Sequence, residues 1–397
     1  MAAVQPIVEE SEAQPAPESP PPGSTGTGEL AAVAPPAFPF TFTGDAKEYF
    51  RIWIVNLFLS IVTVGLYSPW AKVRKKRYFY GNTWVAEANF DYHGDPVAIL
   101  KGRIVAVLAL VAYNVAGHYL PRLGTLIMLL LLIGAPWLIV RSMRFNAVNS
   151  SYRNLRFHFH GRYVEGLKAI APFLLWPLLV FMFPVMQPGD VPTNPSEMAA
   201  LFLPTLPLVL FYPYVVGAIK RFQVRRAAYG SAPFACSMRI RPLYGYYFFA
   251  GILLSVGMMA AGIVISALFV FPALAPLLTT ILFPFLYLLV GALVFGYTRS
   301  RVANLTFNAS TIAGQVRFVS TLSARKLGRI YFVNLLAIVA SCGLAVPWAV
   351  IRAARYRASC LRLEGEGDLE GFLGDVAKPV GATGEQLGEF FDVDLSL

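Results

Sequence analysis

By type and spacing, the residues best placed to do chemistry are His158 and His160, which alternate in the stretch LRFHFHGR from Leu155 to Arg162. On a strand both imidazoles face one side, and imidazole is the commonest protein ligand of zinc and copper. Zinc asks for three or four ligands. Beyond this pair the chain offers only His93, His118 and the scattered cysteines Cys236, Cys342 and Cys360, with no C-x-x-C spacing. Covalent and phosphate chemistry find no foothold either. The sequence has no G-x-S-x-G, no H-E-x-x-H, no glycine-rich phosphate loop and no carboxylate pair in an apolar stretch. No enzyme reaction, metal or cofactor is expected.

Two other sets of residues recur at fixed spacing. Arg74 and Arg77, Arg141 and Arg144, and Arg352 and Arg355 each read Arg-x-x-Arg followed by an aromatic. Arginine at a helix C-terminus complements the helix dipole and an anionic lipid surface, so these six are candidate head-group contacts. The second set is Asn56, Gly65 and Pro69 with its counterpart Asn334, Gly343 and Pro347, an amide followed by a helix break inside an apolar run. Non-helical backbone at membrane depth survives only against protein or water, which makes these six candidates for a polar path.

The elements that hold them belong to a protein that uses lipid as solvent. Of 397 residues 56% are hydrophobic and 14% charged, against about a quarter charged in a soluble domain, and mean hydropathy is +0.58. Six apolar runs are long enough to cross a bilayer: Ile104 to Tyr119, Leu123 to Val140, Leu167 to Met186, Ala199 to Ile219, Tyr247 to Phe271 and Leu277 to Tyr297. Two more, Tyr49 to Trp70 and Ile330 to Val350, are interrupted. Of the 33 basic residues 29 fall in five clusters, and segments such as Gln187 to Glu197 have none. This alternation is the positive-inside pattern, so the net charge of +11 faces anionic lipid on the cytoplasmic side and does not indicate nucleic acid. Residues 1–39, with nine prolines, five glutamates and no basic residue, read as a disordered acidic tail. Residues 366–397 read as a second acidic tail, and residues 40–365 as the membrane domain.

A repeat ties these features together. Pro69 to Gly94 aligns without a gap with Pro136 to Gly161, pairing Pro69/Pro136, Trp70/Trp137, Arg74/Arg141, Arg77/Arg144, Asn82/Asn149, Phe90/Phe157, His93/His160 and Gly94/Gly161. A third copy matches Asn56, Gly65, Pro69, Trp70, Arg74, Arg77 and Tyr78 with Asn334, Gly343, Pro347, Trp348, Arg352, Arg355 and Tyr356. Weaker echoes follow Pro213 and Asn308. Each unit reads as a membrane helix with a basic cytoplasmic end, a turn, and a short alternating strand: FTFTG at Phe40, FDYHG at Phe90, FHFHG at Phe157, VRFVS at Val316, LRLEG at Leu361 and a degenerate MRIRP at Met238. At the two histidine positions the other strands carry Thr, Asp, Arg, Glu and Val as well as His93, which describes a wet strand face and leaves His93 and His160 as the only pair to test for metal.

Between Gly94 and Arg141 lie 47 positions, enough for two crossings, whereas Gly44 to Arg74 spans 30 and Ser320 to Arg352 spans 32. If every strand is cytoplasmic, the first and last units must enter and leave on one side, as re-entrant or broken helices. The segments TVGLYSPW and SCGLAVPW supply the glycine and proline for such breaks. The expected fold is thus an all-α integral membrane protein with six full spans, two terminal re-entrant or broken helices, short cytoplasmic strands between helix hairpins, and both chain ends in the cytoplasm; the rival is a single kinked span at each end, with both chain ends outside.

The F-x-F-x-G strand, the Gly-turn-Pro-Trp break, the Arg-x-x-Arg-aromatic helix end and the Asn-Thr turn together resemble the YjgN family of bacterial inner-membrane proteins, over roughly Pro39 to Gly365. In the Pro213 unit Tyr214 replaces the tryptophan and the Asn turn is missing, and the Asn308 unit lacks the Pro-Trp pair. The resemblance implies a bacterial inner-membrane location and this architecture, and no reaction. Interrupted helices in corresponding repeats point first to transport or permeation of a small molecule or lipid. The alternative is a scaffold or sensor that binds lipid head groups or a protein partner through its cytoplasmic strands and arginines.

Overall fold

A computed structural model of the chain describes residues 36–181, 194–195, 203–270, 273 and 275–365. Both tails beyond those limits, most of the segment Gln187 to Glu197, and parts of the apolar runs Leu167 to Met186 and Ala199 to Ile219 lie outside the described residues.

Helical hairpins alternate with β-hairpins along the chain. The helical hairpins are Ala46–Val62 with Ser68–Gly81, Pro96–Tyr119 with Pro121–Val148, Tyr163–Phe181 with Leu206–Arg225, Arg241–Leu268 with Ala275–Phe307, and Ala324–Ala340 with Val346–Ser359. Between them run β3 (Thr83–Val85) and β4 (Ala88–Tyr92), β5 (Ser150–Tyr152) and β6 (Leu155–Phe159), β7 (Ala227–Tyr229) and β8 (Ala232–Cys236), and β9 (Ser310–Ile312) and β10 (Val316–Ser320). The β3–β4 and β5–β6 turns place Ala86 with Glu87 and Arg153 with Asn154 in the left-handed region, the geometry of a two-residue hairpin turn.

The sheet closes on itself. Near the N-terminus β1 (Ala37–Pro39) pairs with β11 (Leu361–Gly365), and β2 (Thr41–Phe42) pairs with β3. Only Phe40 separates β1 from β2, and its N–H donates to the Leu361 carbonyl at 2.9 Å. One extended segment therefore joins the two ends of the strand order β1-β11-β10-β9-β8-β7-β6-β5-β4-β3-β2, all antiparallel. Closure removes the exposed strand edges that a row of short hairpins would otherwise present. Each hairpin contributes to one core: Phe40, Val85, Tyr152, Tyr229, Ile312 and Leu363 are buried there, and Phe90, Phe157, Phe234 and Phe318 pack against them. Neighbouring rings in this set lie 6.0 to 6.4 Å apart, from Phe40 through Phe90, Phe157 and Phe234 to Phe318.

This corrects the all-α expectation. The strands are not isolated connectors; they form a closed ring with its own apolar interior. Two strand assignments change with it. MRIRP at Met238 is not a strand, since that place belongs to Ala232–Cys236, and Leu361–Gly365 occupies the first-strand position of its hairpin with residues 37–42 as the second.

Every helical hairpin starts and ends at the ring. The N–H groups of Thr43, His93, His160, Ser237 and Thr321 donate to the carbonyls of Asn82, Asn149, Arg226, Ala309 and Cys360, at 2.8 to 3.0 Å. In each case a residue just before an outgoing helix is tied to one just after a returning helix. Successive hairpins pack side by side, and the last helix packs on the first. Four helices among the described residues have the length and apolarity to cross a bilayer, Pro96–Tyr119, Arg122–Val148, Arg241–Leu268 and Pro276–Phe307. The expectation of six full spans rests for its other two on segments that run beyond the described residues. The first and last hairpins have helices of 17 and 14 residues, about 25 and 21 Å, short of a hydrocarbon core of about 30 Å.

Candidate functional site

Where the helices meet the ring they carry a crown of aromatic and basic side chains. Counting back from the residue that precedes each first strand, the same helix position holds Trp70, Trp137, Tyr214, Tyr297 and Trp348. One turn nearer the ring come Arg74, Arg141, Ala218, Arg301 and Arg352. Residues four apart lie on one helix face. Accordingly Arg141 covers Trp137 at 5.2 Å, Arg301 covers Tyr297 at 5.7 Å and Arg352 covers Trp348 at 5.1 Å. Trp137 and Trp348 each stay 41% exposed, the setting in which amphipathic rings occupy a membrane interface. No carboxylate forms an ion pair with Arg301 or Arg352 among the described residues.

The second arginine of each pair does structural work. Arg355 donates to the Gly44 carbonyl at 3.0 Å, Arg221 donates to the Met238 carbonyl, and Asn304, at the same position, donates to the Leu322 carbonyl at 2.9 Å. Arg77 reaches the Tyr92 carbonyl at 3.3 Å, and Arg144 lies 6.0 Å from the Tyr163 ring. Of the six expected head-group contacts, Arg74 and Arg141 are exposed, whereas Arg352 is half-buried between the Trp348 ring and the Asn334 amide oxygen to which it donates. Arg77 and Arg355 hold the returning helix to the ring. The helix that carries Tyr297 and Arg301 lacks the Pro-Trp pair, so the sequence motif does not mark them.

Around the crown, Lys76 lies 4.4 Å from the Tyr92 ring and donates to Asn146, and burial together with neighbouring Lys72 lowers its pKa. Asp45 caps the first helix by accepting from the N–H groups of Lys47 and Glu48, which hold its carboxyl below the usual range. A cleft of about 600 Å³ opens between this helix start and the last helix, with Arg352, Arg355, Tyr356 and Ser359 facing Trp348 and Ile330.

The helix breaks are closed turns. Val64 and Gly65 take φ of 50° and 87°, and Cys342 and Gly343 take 50° and 93°. Gly65 N–H donates to the Ser60 carbonyl at 2.7 Å and Gly343 N–H to Ile338 at 2.8 Å, the six-to-one bond that ends a helix on a left-handed residue. The hydroxyls of Thr63 and Ser341 accept from the N–H groups of Tyr67 and Ala345, and Pro69 and Pro347 open the next helices. Exposed Val64, Leu66 and Leu344 cover the tips. Asn334 is buried, donates to the Ala349 carbonyl at 2.9 Å and accepts from Arg352, so it fastens the two arms of its hairpin. Asn56 is buried in the equivalent place, with no partner for Oδ1 among the described residues.

His93 Nε2 lies 2.8 Å from the Ser151 hydroxyl, and the His158 and His160 rings stack 6.2 Å apart. No group of three or more His, Cys, Asp or Glu side chains gathers among the described residues.

Bilayer-length apolar helices anchored by a basic aromatic belt define an integral membrane protein. The family described as "Bacterial protein of unknown function (DUF898)" matches residues 37–390, and the chain belongs to it. Inner membrane protein YjgN of Salmonella typhimurium is 23% identical over 355 residues, covering 82% of this chain and 88% of that protein. The protein of the same name from Escherichia coli K12 is 33% identical over 131 residues, 32% of each chain. No solved structure matches. The motif resemblance is thereby upheld: this is a YjgN-like protein of the bacterial inner membrane, from a family of unknown activity.

Proposed function

We propose that this is a multi-pass inner-membrane protein built from five repeats, with its strand ring and both ends of the membrane domain in the cytoplasm, and that its crown binds anionic lipid head groups. The observation that carries this reading is the recurrence of an arginine lying over an aromatic ring one helical turn away, in three hairpins. A guanidinium held over an aromatic face at an interface offers its N–H groups to phosphate oxygens. The short hairpins, with Lys72, Arg74, Lys75, Lys76 and Arg77 on one returning helix, suit the head-group layer and not the hydrocarbon. Transport loses its motive here, because the breaks satisfy their own backbone groups and end in exposed apolar tips.

The test is lipid retention. Protein purified in mild detergent should carry anionic phospholipid in preference to zwitterionic phospholipid by native mass spectrometry. The triple variant Arg141→Gln, Arg301→Gln, Arg352→Gln should lose that preference, at about fivefold per arginine for about 1 kcal/mol each. Unchanged retention would remove the reading. Uptake of solutes by proteoliposomes through the wild type would restore transport.

A further inference from the structure

Each hairpin meets the next at a seam between a returning and an outgoing helix, and the last hairpin meets the first in the same way. Two residues on from those tied to the returning helices, the outgoing arms carry Asp45, Asp95, Arg162, Arg239 and Ser323. The sign of the charge therefore changes from seam to seam. Where the last hairpin meets the first, Asp45 lines the cleft of about 600 Å³ together with Arg352, Arg355, Tyr356, Ser359 and the Trp348 ring. That volume is within the range of small-molecule sites.

Opposite charges share this cleft without meeting. Asp45 accepts from the N–H groups of Lys47 and Glu48, and neither arginine forms an ion pair with it among the described residues. Arg355 donates to the Gly44 carbonyl at 3.0 Å, and Arg352 rests on Trp348 with one N–H on the Asn334 amide oxygen at 3.4 Å. A guanidinium carries five N–H groups, so both arginines keep donors for a phosphate. A simple anion would set its charge against the Asp45 carboxylate. A ligand that carries phosphate and ammonium a few bonds apart satisfies both sides of the cleft.

An apolar stripe leads out of the cleft along the first helix. Ala46 lines the cleft, and Phe50, Trp53, Leu57 and Ile61 follow on the same helix face toward the tip of the hairpin. Leu57 and Ile61 are 39% and 67% exposed. A soluble ligand has no use for that stripe; an acyl chain does.

We infer that this seam holds one aminophospholipid, with its phosphate on Arg352 and Arg355, its ammonium at Asp45 and an acyl chain along Leu57 and Ile61. The inference rests on the reading that the crown lies among lipid head groups. It adds that one place in the crown selects a primary ammonium, where the other arginine and aromatic pairs select net negative charge. Such a lipid bridges the first and last hairpins at the point where the ring closes.

The test is native mass spectrometry of the full-length chain, delipidated and then titrated with phosphatidylethanolamine or with its N-trimethyl counterpart, phosphatidylcholine. The two differ only in whether the ammonium can donate N–H groups to Asp45. The wild type should bind one phosphatidylethanolamine about tenfold more tightly than phosphatidylcholine. Asp45→Asn, which keeps a good helix cap, should bring the two within about twofold of each other. Arg141→Gln with Arg301→Gln, which alters the crown away from this seam, should leave the preference intact, so the two readings fail separately. Equal binding of the two lipids by the wild type, or a preference that survives Asp45→Asn, overturns the inference. So does release of the bound lipid by an equal concentration of glycerophosphoethanolamine, which would assign the cleft to a soluble compound with the same head-group chemistry.

Discussion

The ring of Tyr92 lies where a side chain at position 94 would sit, 2.5 Å from an ideal Cβ on Gly94, and Phe42 with Gly44 and Phe159 with Gly161 repeat the arrangement. In the other two units the second strand carries Cys236 and Ser320, and the residues two further on are the buried Met238 and Leu322. One volume is filled either by an aromatic with a glycine or by a small residue with a large one. Gly94→Leu alone should therefore destabilise the protein by on the order of 2 kcal/mol, and Tyr92→Ser with Gly94→Leu should recover most of that, read from thermal melts in detergent. A double variant no more stable than the single one would show that the two positions do not share space. The F-x-F-x-G motif was legible in the sequence; the exchange was not, because it shows only when the strands are framed by their hydrogen bonds. That framing also moves VRFVS by two positions, so that Phe318 and not Val316 answers to Phe90. The wet strand face that carries the histidines was readable from alternation alone.

One close helix contact falls where the sequence signal is weak. A Cβ on Gly296 would lie 2.5 Å from the Gly328 Cα, so the fourth and fifth helical hairpins cross backbone against backbone. Gly296 stands at the position where the other returning helices have proline, and a search for Pro-Trp passes over it. Gly296→Val should cost on the order of 3 kcal/mol and reduce the yield of monodisperse protein in size exclusion, while Gly102→Ala, with nothing within 4 Å of its Cβ, should leave both unchanged. Equal behaviour of the two variants would mean that the hairpins do not meet there. The paired breaks were visible as Gly and Pro at matched spacing, and their return to the starting side followed from counting residues between strand and helix. Their self-sufficiency was not visible: it depends on left-handed Val64 and Cys342 and on the hydroxyls of Thr63 and Ser341, none of which marks a turn by type alone.

On the scale of the molecule, the closing element is a segment whose partners lie more than 300 residues away: Arg355 holds the Gly44 carbonyl across 311 positions. Periodicity cannot register such a contact, and a reading that starts the membrane domain at Phe40 leaves β1 outside it. Removing residues 1–35 should leave the melting temperature unchanged. Removing 1–42 should expose the edges of β3 and β11 and drive association in size exclusion, and a monomeric, equally stable 1–42 deletion would contradict closure. Every helical hairpin starts and ends at the closed ring, and the head-group binding proposed above requires one leaflet to meet the arginine and aromatic pairs of the crown together. The most direct measurement of that claim is the electron spin resonance of spin-labelled phospholipids around the protein in reconstituted membranes. The account predicts a larger motionally restricted fraction for anionic than for zwitterionic lipid, reduced at about 0.5 M salt and by Arg141→Gln, Arg301→Gln and Arg352→Gln together. Equal fractions for the two lipids in the wild type at low salt would contradict it.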